Sequence, residues 1–237
     1  MLFRKAVLII HGFAGGTYDQ EALAFHLELN KLFDVYQFTL PGHNVSLSKV
    51  KYQEWIKACE EKIEYLINNG YKNIYLVGHS MGGVISTYLA SKYKEVKKLV
   101  LLAPAFHYLN VVNDDFNVKE SIKQIPKIIV SYKKEIIGRA LKLDVSATKE
   151  LVELVKKYYD IPKEVYCPTL ILQGKEDHVV PISSSEYVYD KLGSNIKKLI
   201  YINDVDHEIC NSIRKEEVNK VIEEFLKYNI EGGIDTI

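Results

Sequence analysis

The sequence predicts an α/β fold, with a mostly parallel sheet of about six strands flanked by helices. Two observations predict it. Short, continuous apolar runs are typical of strands that are buried on both faces of a parallel sheet. Longer segments with helical spacing of apolar residues separate these runs, which favours right-handed crossovers between parallel strands. With 237 residues, the chain is long enough for one large domain with a buried core.

The predicted strands and helices alternate up to residue 106 and again after residue 162. Apolar runs predict strands at 6–10, 33–38, 73–77, 98–103, 168–174 and 197–202. Helical periodicity predicts helices at 18–32, 51–69, 81–93, 183–192 and 214–228. The apolar stripe is clearest over 51–69, where it comprises Trp55, Ile56, Cys59, Ile63, Leu66 and Ile67. We expect the tail from Glu231 to Ile237 to be frayed.

Residues 107–162 interrupt the alternation. This segment is rich in lysine, shows no buried strand pattern, and has helical periodicity over 122–137 and 151–159. We expect it to lie over the carboxyl edge of the sheet, where open α/β folds bind their ligands. Its tyrosines and apolar residues could line a pocket or pack against the core, and the sequence does not separate the two.

Composition narrows the class of protein. Lys plus Arg equals Asp plus Glu at 31 each, so no net charge favours nucleic acid or an anionic membrane. No apolar stretch approaches the length of a membrane span, and no cleavable leader is visible. The three scattered cysteines, Cys59, Cys167 and Cys210, indicate free thiols and a reducing compartment. We expect a cytoplasmic protein without stable membrane insertion, although export by another route stays open, as does the oligomeric state.

A serine between glycines follows the third predicted strand. The run Gly78-His79-Ser80-Met81-Gly82 has the pattern G-x-S-x-G, where an apolar run meets a helix-compatible segment. A serine on such a sharp turn is strained and presents its oxygen clear of the sheet, and its neighbours must lack bulk because backbones meet there. The following helix directs its first N–H groups at the site and favours negative charge. The pattern indicates a nucleophile, with an ordinary helix N-cap serine as the alternative.

A serine hydroxyl needs a base, and the base needs an orienting carboxylate. Asp177 follows the strand that ends at Gly174, and His207 follows the strand that ends at Ile202. Both therefore lie beyond carboxyl ends of strands, at the same edge as Ser80, where three distant parts of the chain can converge. For the carboxylate, the second choice is Asp206, and Asp204 and Glu176 are weaker candidates.

The other six histidines have structural explanations in most cases. We expect His26 on a helix surface, His11 as a support of the loop after the first strand, His43 as a loop hydrogen-bonding residue, His79 with its ring directed away from Ser80, and His178 on the loop of Asp177; His107 could line a pocket.

The charge that develops on a substrate carbonyl oxygen needs hydrogen-bond donors. The N–H of Met81, directly after the serine, would be one. The N–H of Phe13 would be the other, since Gly12 and the glycines that follow let this loop approach a substrate closely.

Four motifs occur in the order found in the α/β-hydrolase superfamily: His11-Gly-Phe-Ala-Gly, Gly78-His-Ser-Met-Gly-Gly, Gly174-Lys-Glu-Asp and Asp206-His207. From Ala6 to about Tyr228 the chain resembles that superfamily, and within it small bacterial carboxylesterases and monoacylglycerol lipases. The resemblance implies that Ser80 is the nucleophile, His207 the general base and acid, and Asp177 the orienting carboxylate.

The resemblance also implies an eight-stranded sheet. Because this chain begins directly at what would be the third strand, we expect the first antiparallel hairpin to be absent or much reduced. It further implies a hydrolase core made of residues 1–106 and 163–237 and a small helical cap, or lid, made of residues 107–162. In the family the cap varies most and decides the substrate.

The expected activity is hydrolysis of small to medium apolar acyl esters, such as short-chain carboxylesters or monoacylglycerols. No metal or organic cofactor is expected, because each step is proton transfer or electrostatic stabilisation. A hydroxycinnamoyl esterase, thioesterase, amidase or C–C hydrolase would use the same triad and stays open. A non-catalytic ligand-binding member of the fold is a further alternative, against which the complete set of Ser80, Asp177 and His207 speaks.

Overall fold

The computed structural model describes residues 5–29, 31–43, 50–107, 111–112, 115–116, 145–228 and 231–237. The strands in these ranges are β1 Lys5–Ile10, β2 Asp34–Gln37, β3 Asn73–His79, β4 Val96–Leu102, β5 Val111–Val112, β6 Asp115–Phe116, β7 Thr169–Gly174, β8 Lys197–Ile202 and β9 Gly233–Thr236. Seven of them form one sheet in the order β2-β1-β3-β4-β7-β8-β9, and each neighbouring pair is parallel. The expected mostly parallel α/β sheet is confirmed.

Six α-helices lie within the described ranges: α1 Glu21–Leu29, α2 Tyr52–Asn68, α3 Met81–Lys92, α4 Val145–Tyr158, α5 Ile182–Lys191 and α6 Lys215–Lys227. The predicted helices at 51–69, 81–93, 183–192 and 214–228 match α2, α3, α5 and α6 within one residue at each end. The predicted helix at 18–32 is shorter, because its first turn is a 3₁₀ helix at Thr17–Gln20 and α1 ends at Leu29. Within the described ranges, every helix is too short or too polar to cross a bilayer.

The core forms where the apolar patterns predicted it. In β1 every residue from Ala6 to Ile10 is buried, and β3, β4 and β7 are almost wholly buried as well. On α2, the buried stripe comprises Trp55, Ile56, Cys59, Ile63 and Leu66, with Ile67 half-buried beside it. The central strands are therefore covered by helices on both faces, which leaves their carboxyl ends as the open edge.

The sheet has seven strands and not about six, because the tail forms a strand. Expected to be frayed, it forms β9 alongside β8. Lys198 and Asp235 form an ion pair at 2.6 Å, and the Ile237 N–H donates to the Tyr201 carbonyl at 2.9 Å. A bare β8 would expose unpaired backbone groups, and the tail covers them. The half-polar Gly-Ile-Asp-Thr sequence gives no apolar run from which to predict this strand.

The interrupting segment is described in part. A short antiparallel pair, β5 and β6, was not predicted. The predicted helix at 122–137 lies outside the described residues, whereas the predicted helix at 151–159 is the second half of α4. The apolar face of α4 is buried, and the helix packs against α2 and α3. The division into a core and a 107–162 cap stays a prediction.

Candidate active site

Ser80 occupies the tight turn between β3 and α3. Its backbone has φ 53° and ψ −117°, which a residue with a side chain rarely adopts. Such strain persists only where neighbours fix the backbone. Here the Ser80 N–H donates to the Leu102 carbonyl at 2.9 Å, and the Ser80 carbonyl accepts from Gly83 at 2.9 Å and Ala105 at 3.2 Å. The predicted strained elbow is present.

The glycines on either side of Ser80 are required by close backbone contacts. A Cβ on Gly82 would lie 2.2 Å from the Ile10 carbonyl oxygen, and a Cβ on Gly78 would lie 2.4 Å from the Gly82 carbonyl oxygen. These atoms belong to backbones of β1 and the elbow and cannot move aside cheaply. The absence of side chains therefore lets α3 begin directly against the end of β1.

His207 and Asp177 meet as predicted. Asp177, in the turn after β7, places Oδ2 2.8 Å from Nδ1 of His207, in the loop after β8. Oδ1 of Asp177 accepts the N–H groups of Val179 at 2.8 Å and Val180 at 2.9 Å. Because a carboxylate only accepts, Nδ1 of His207 carries the proton, which leaves Nε2 as the basic nitrogen.

Electrostatics in this pair favour the charged forms in spite of burial. Burial alone would lower the pKa of His207, but the charge and hydrogen bond of Asp177, together with the charges of Glu208 and Asp206, outweigh it and raise that pKa above its ordinary value. Burial alone would raise the pKa of Asp177, but His207 and the two backbone N–H groups hold it below its ordinary value. The arrangement stabilises an imidazolium at position 207.

His79 connects the elbow to the His207 loop. Its Nε2 lies 2.9 Å from the His207 carbonyl oxygen, and the two rings lie 4.7 Å apart. Since the carbonyl only accepts, Nε2 carries the proton, and Nδ1 is free to accept from Nε2 of Gln20 at 3.3 Å. Burial lowers the pKa of His79 to about 4 and keeps the ring neutral. Thus the residue next to the serine holds the backbone of His207.

The contact between the serine hydroxyl and His207 is the third part of the predicted triad. Within the described ranges, the structure records no hydrogen bond from Ser80 Oγ to the His207 ring. The structure thus brings His207 to Asp177 and to the neighbour of Ser80, and the last link of the predicted triad stays a prediction.

The loop after β1 lies against the elbow. A Cβ on Gly12 would be 3.2 Å from the Cβ of Ser80. His11 supports this loop as expected: its Nε2 accepts the Leu40 N–H at 2.9 Å, so Nδ1 donates to the Gly12 carbonyl at 2.7 Å. Phe13 lies in the same loop and Met81 begins α3, so the two predicted oxyanion donors belong to segments that meet at Ser80.

The remaining candidates have other contacts. Asp206 accepts the Glu208 N–H at 3.0 Å, and the hydrogen bond of the His207 ring goes to Asp177. His43 donates to the Pro41 carbonyl at 3.2 Å, as expected of a loop residue. His26 pairs with Glu223 at 2.6 Å and joins α1 to α6. His107 places Nε2 3.0 Å from the Tyr159 hydroxyl.

Sequence reasoning missed the roles of two glutamines. Gln20 contacts His79 across 59 positions of the chain, and Gln173 contacts Asp177 within a buried network. No motif marks either residue. The one available signal was a polar residue at the end of the apolar run of β7, where Gln173 stands.

Proteins similar to this chain in sequence or shape include esterases and lipases. The carboxylesterase of Bacillus subtilis (strain 168) is 26% identical over 233 residues, which cover 94% of this chain and 92% of the relative. A structure of a metagenome-derived lipolytic enzyme superposes with a TM-score of 0.75 at 20% identity, covering 94% of both chains. The Paleococcus ferrophilus monoacylglycerol lipase gives a TM-score of 0.73 at 20% identity, covering 93% of both chains.

Similarity at this level in the two structures establishes the fold. The family assignment comes from the sequence. A family model described as serine aminopeptidase, S33 (Hydrolase_4) matches residues 3–213, which include Ser80, Asp177 and His207. The chain therefore belongs to the Hydrolase_4 family of α/β-hydrolases.

Proposed function

We propose that the protein is a serine hydrolase of carboxylic esters in which Ser80 is the nucleophile, His207 the general base and acid, and Asp177 the orienting carboxylate. The observation that carries the proposal is the 2.8 Å pairing of His207 with Asp177 beside a strained Ser80. The names of relatives support the ester as substrate, since they include a carboxylesterase and a monoacylglycerol lipase.

In the proposed mechanism, Nε2 of His207 takes the Ser80 proton as the serine oxygen attacks the ester carbonyl carbon. The N–H groups of Phe13 and Met81 hold the resulting oxyanion, each lowering the barrier by about 3 kcal/mol. The imidazolium then gives its proton to the departing alcohol, and an acyl group remains on Ser80. Water repeats the sequence, with His207 again as base, and releases the acid. Asp177 stabilises the imidazolium in both halves.

The raised pKa of His207 sets the expected pH dependence. The base must be neutral to accept the serine proton, and a raised pKa keeps imidazolium present to higher pH. Ester hydrolysis should therefore increase as pH rises through that pKa.

The proposed substrates are small to medium apolar acyl esters, and the proposed location is the cytoplasm. All three cysteines are free, and Cys59 and Cys210 are buried, which supports a reducing compartment. The zero net charge supports a small-molecule substrate over nucleic acid.

The test compares the wild-type protein with Ser80→Ala on p-nitrophenyl esters from acetyl to palmitoyl, and on matched thioesters, hydroxycinnamoyl esters and aminoacyl amides. We expect wild-type hydrolysis to peak at one ester chain length. Ser80→Ala should fold normally and lose at least about a thousandfold in kcat. A fluorophosphonate probe should label the wild type at Ser80.

Ser86→Ala is the matched control. Ser86 lies on α3, is buried, and its hydroxyl lacks a hydrogen-bond partner in the described ranges. This variant should retain activity. Wild-type-like turnover by Ser80→Ala, or labelling at another residue, would overturn the assignment of the nucleophile. A preference for thioesters or amides would keep the triad and change the substrate.

A further inference from the structure

Gln173 is a fully buried glutamine near the end of β7, and both ends of its amide are engaged. Its Nε2 lies 3.2 Å from Oδ2 of Asp177, 3.1 Å from the Gly174 carbonyl oxygen and 3.3 Å from the Val180 carbonyl oxygen. Its Oε1 lies 2.7 Å from the hydroxyl of Ser185 on α5. Three acceptors surround one end, so that end is the NH₂ group, and Ser185 donates to the other.

Gln173 contacts the same oxygen of Asp177 that accepts the hydrogen bond from His207. Oδ2 of Asp177 accepts from His207 Nδ1 and from Gln173 Nε2, whereas Oδ1 accepts two backbone N–H groups. Three of these donors fix the carboxylate independently of the histidine. Gln173 is the one side chain among the three, and it is uncharged, so it orients the carboxylate without competing with His207 as a cation.

We propose that Gln173 is a positioning residue for the Asp177–His207 pair and that Ser185 locks the orientation of its amide. The inference rests on the proposed function, because positioning matters only if His207 acts as a base. Gln173 would act through Asp177 and would touch neither the substrate nor the reacting atoms. An uncharged donor on Oδ2 takes up part of the carboxylate's negative charge, so it moderates the attraction of Asp177 for the His207 proton.

Removing the donor should have two effects. The carboxylate loses one of its fixed bonds, so its orientation toward His207 is held less tightly, which lowers kcat. Oδ2 also keeps more of its negative charge, and since the Val179 and Val180 N–H groups still hold Oδ1 in place, this charge raises the pKa of His207. The charged or titratable groups around His207 are Asp177 after β7, His79 at the end of β3, and Asp206 and Glu208 on its own loop. Gln173 hydrogen-bonds Asp177 among these, so a change measured at His207 is transmitted through that carboxylate.

The test uses Gln173→Met, which keeps the side-chain length and removes both the NH₂ and the carbonyl oxygen of the amide, and Ser185→Ala, which removes the bond that orients the amide. For Gln173→Met we expect kcat to fall between about tenfold and a hundredfold with little change in KM. The acidic limb of kcat/KM should move to higher pH by about half a unit or more. Ser185→Ala should shift the limb in the same direction by less, and it tests the proposal even if Gln173→Met fails to fold.

Thr169→Val is the matched control. Thr169 is buried on the same strand, and its hydroxyl donates to the Cys167 carbonyl at 3.0 Å, away from Asp177. This variant should change stability without moving the pH profile. If both test variants lower stability but keep the wild-type limb, Gln173 is an ordinary core residue and the proposal fails.

NMR titration of the His207 ring gives a second readout that needs no turnover. A raised His207 pKa in Gln173→Met supports the positioning contact, and an unchanged or lowered pKa overturns it. Should the wild type hydrolyse no substrate while this shift is present, the proposed function fails and the contact through Asp177 stands. The two failures are therefore distinguishable.

Discussion

At the scale of single residues, the site depends on glycines, whose lack of a side chain lets backbone segments meet. Ser80 keeps a strained backbone because hydrogen bonds with Leu102, Gly83 and Ala105 hold it, and the flanking glycines let the end of β1 lie directly against this turn. Two kinds of constraint on glycine are present in this chain. Gly82 is required by nearby backbone atoms, whereas Gly70, after α2, adopts φ +88° with open space around it. Alanine substitutions distinguish the two, because Gly82 is required for steric reasons and Gly70 for its backbone conformation.

Gly82→Ala should destabilise the fold by about 3 kcal/mol or more, because the new methyl group meets the carbonyl oxygens of Ile10 and His11 and forces backbones apart. Gly70→Ala should cost about 1 kcal/mol, the price of a left-handed conformation for a residue with a side chain. Urea denaturation of the two variants measures both values. Equal losses would show that the elbow tolerates the extra methyl group.

Some site residues could be predicted from the sequence because their chemistry demands a residue type at a chain position. Ser80, Asp177 and His207 each follow a strand, and glycines mark the turn. The sequence predicts that the His79 ring is directed away from Ser80, since adjacent side chains diverge at a turn. The structure shows that diverging from Ser80 brings its ring against His207. Such contacts depend on how loops fold back over the sheet, and no local pattern encodes them.

At the scale of elements, Lys98 joins a strand to a helix on the sheet edge opposite the elbow. It is the third residue of β4, is buried, and donates through Nζ to the carbonyl oxygens of Phe225 and Tyr228 at 2.6 Å each. These carbonyls belong to the end of α6, where a helix has unpaired acceptors and favours a cation. Burial disfavours the charged lysine more than these carbonyls favour it. Together with the charge of Lys5, burial lowers the pKa of Lys98 to about 8.

Lys98→Met should therefore change the pH dependence of stability. Between pH 8 and about 10.5, folded Lys98 has lost its proton while an unfolded lysine keeps it. The unfolded state then binds more protons, so the free energy of unfolding of the wild type should rise with pH relative to the variant. Urea denaturation from pH 7 to 10 measures the difference. Lys97→Met, the loss of an exposed neighbouring lysine, controls for charge; a constant or falling difference for Lys98→Met would contradict the prediction.

Elements could be predicted where burial on two faces leaves an unbroken apolar run. The central strands and α2 follow from such runs within one or two residues. Lys98 was expected to begin a buried strand, and its polar contacts could not be anticipated because α6 follows more than 100 positions later. β9 escaped prediction for the opposite reason: an edge strand needs backbone pairing and little apolar surface. The helix predicted at 122–137 lies outside the described residues.

At the scale of the whole molecule, the candidate site spans most of the sheet. Ser80 follows β3 and His207 follows β8, with β4 and β7 between them. Adjacent strands are about 4.8 Å apart, so the His207 loop must reach back across roughly 14 Å of sheet. It crosses β7 closely: a Cβ on Gly174 would lie 2.3 Å from the Val205 carbonyl oxygen, and the Glu176 N–H donates to that carbonyl at 2.9 Å. The placement of His207 thus depends on how firmly this loop is anchored at β8.

The C-terminal strand supplies that anchor on the outer side. The Ile237 carbonyl accepts the N–H of Asn203, the first residue of the His207 loop, at 2.9 Å, and β9 pairs with β8 just before it. Deleting residues 231–237 should therefore lower the free energy of unfolding by about 1 kcal/mol for each backbone hydrogen bond lost.

The deletion should also reduce ester hydrolysis even at temperatures where the truncated protein is folded, because the loop that carries His207 loses its fixed start. Thermal denaturation and kcat at low temperature measure the two effects separately. Asp235→Asn is the control, since it removes the exposed ion pair with Lys198 and keeps the strand, and it should cost less than about 1 kcal/mol. A truncated protein with wild-type stability and kcat would mean that β9 merely covers the sheet edge, and that the His207 loop is held from the β7 side alone.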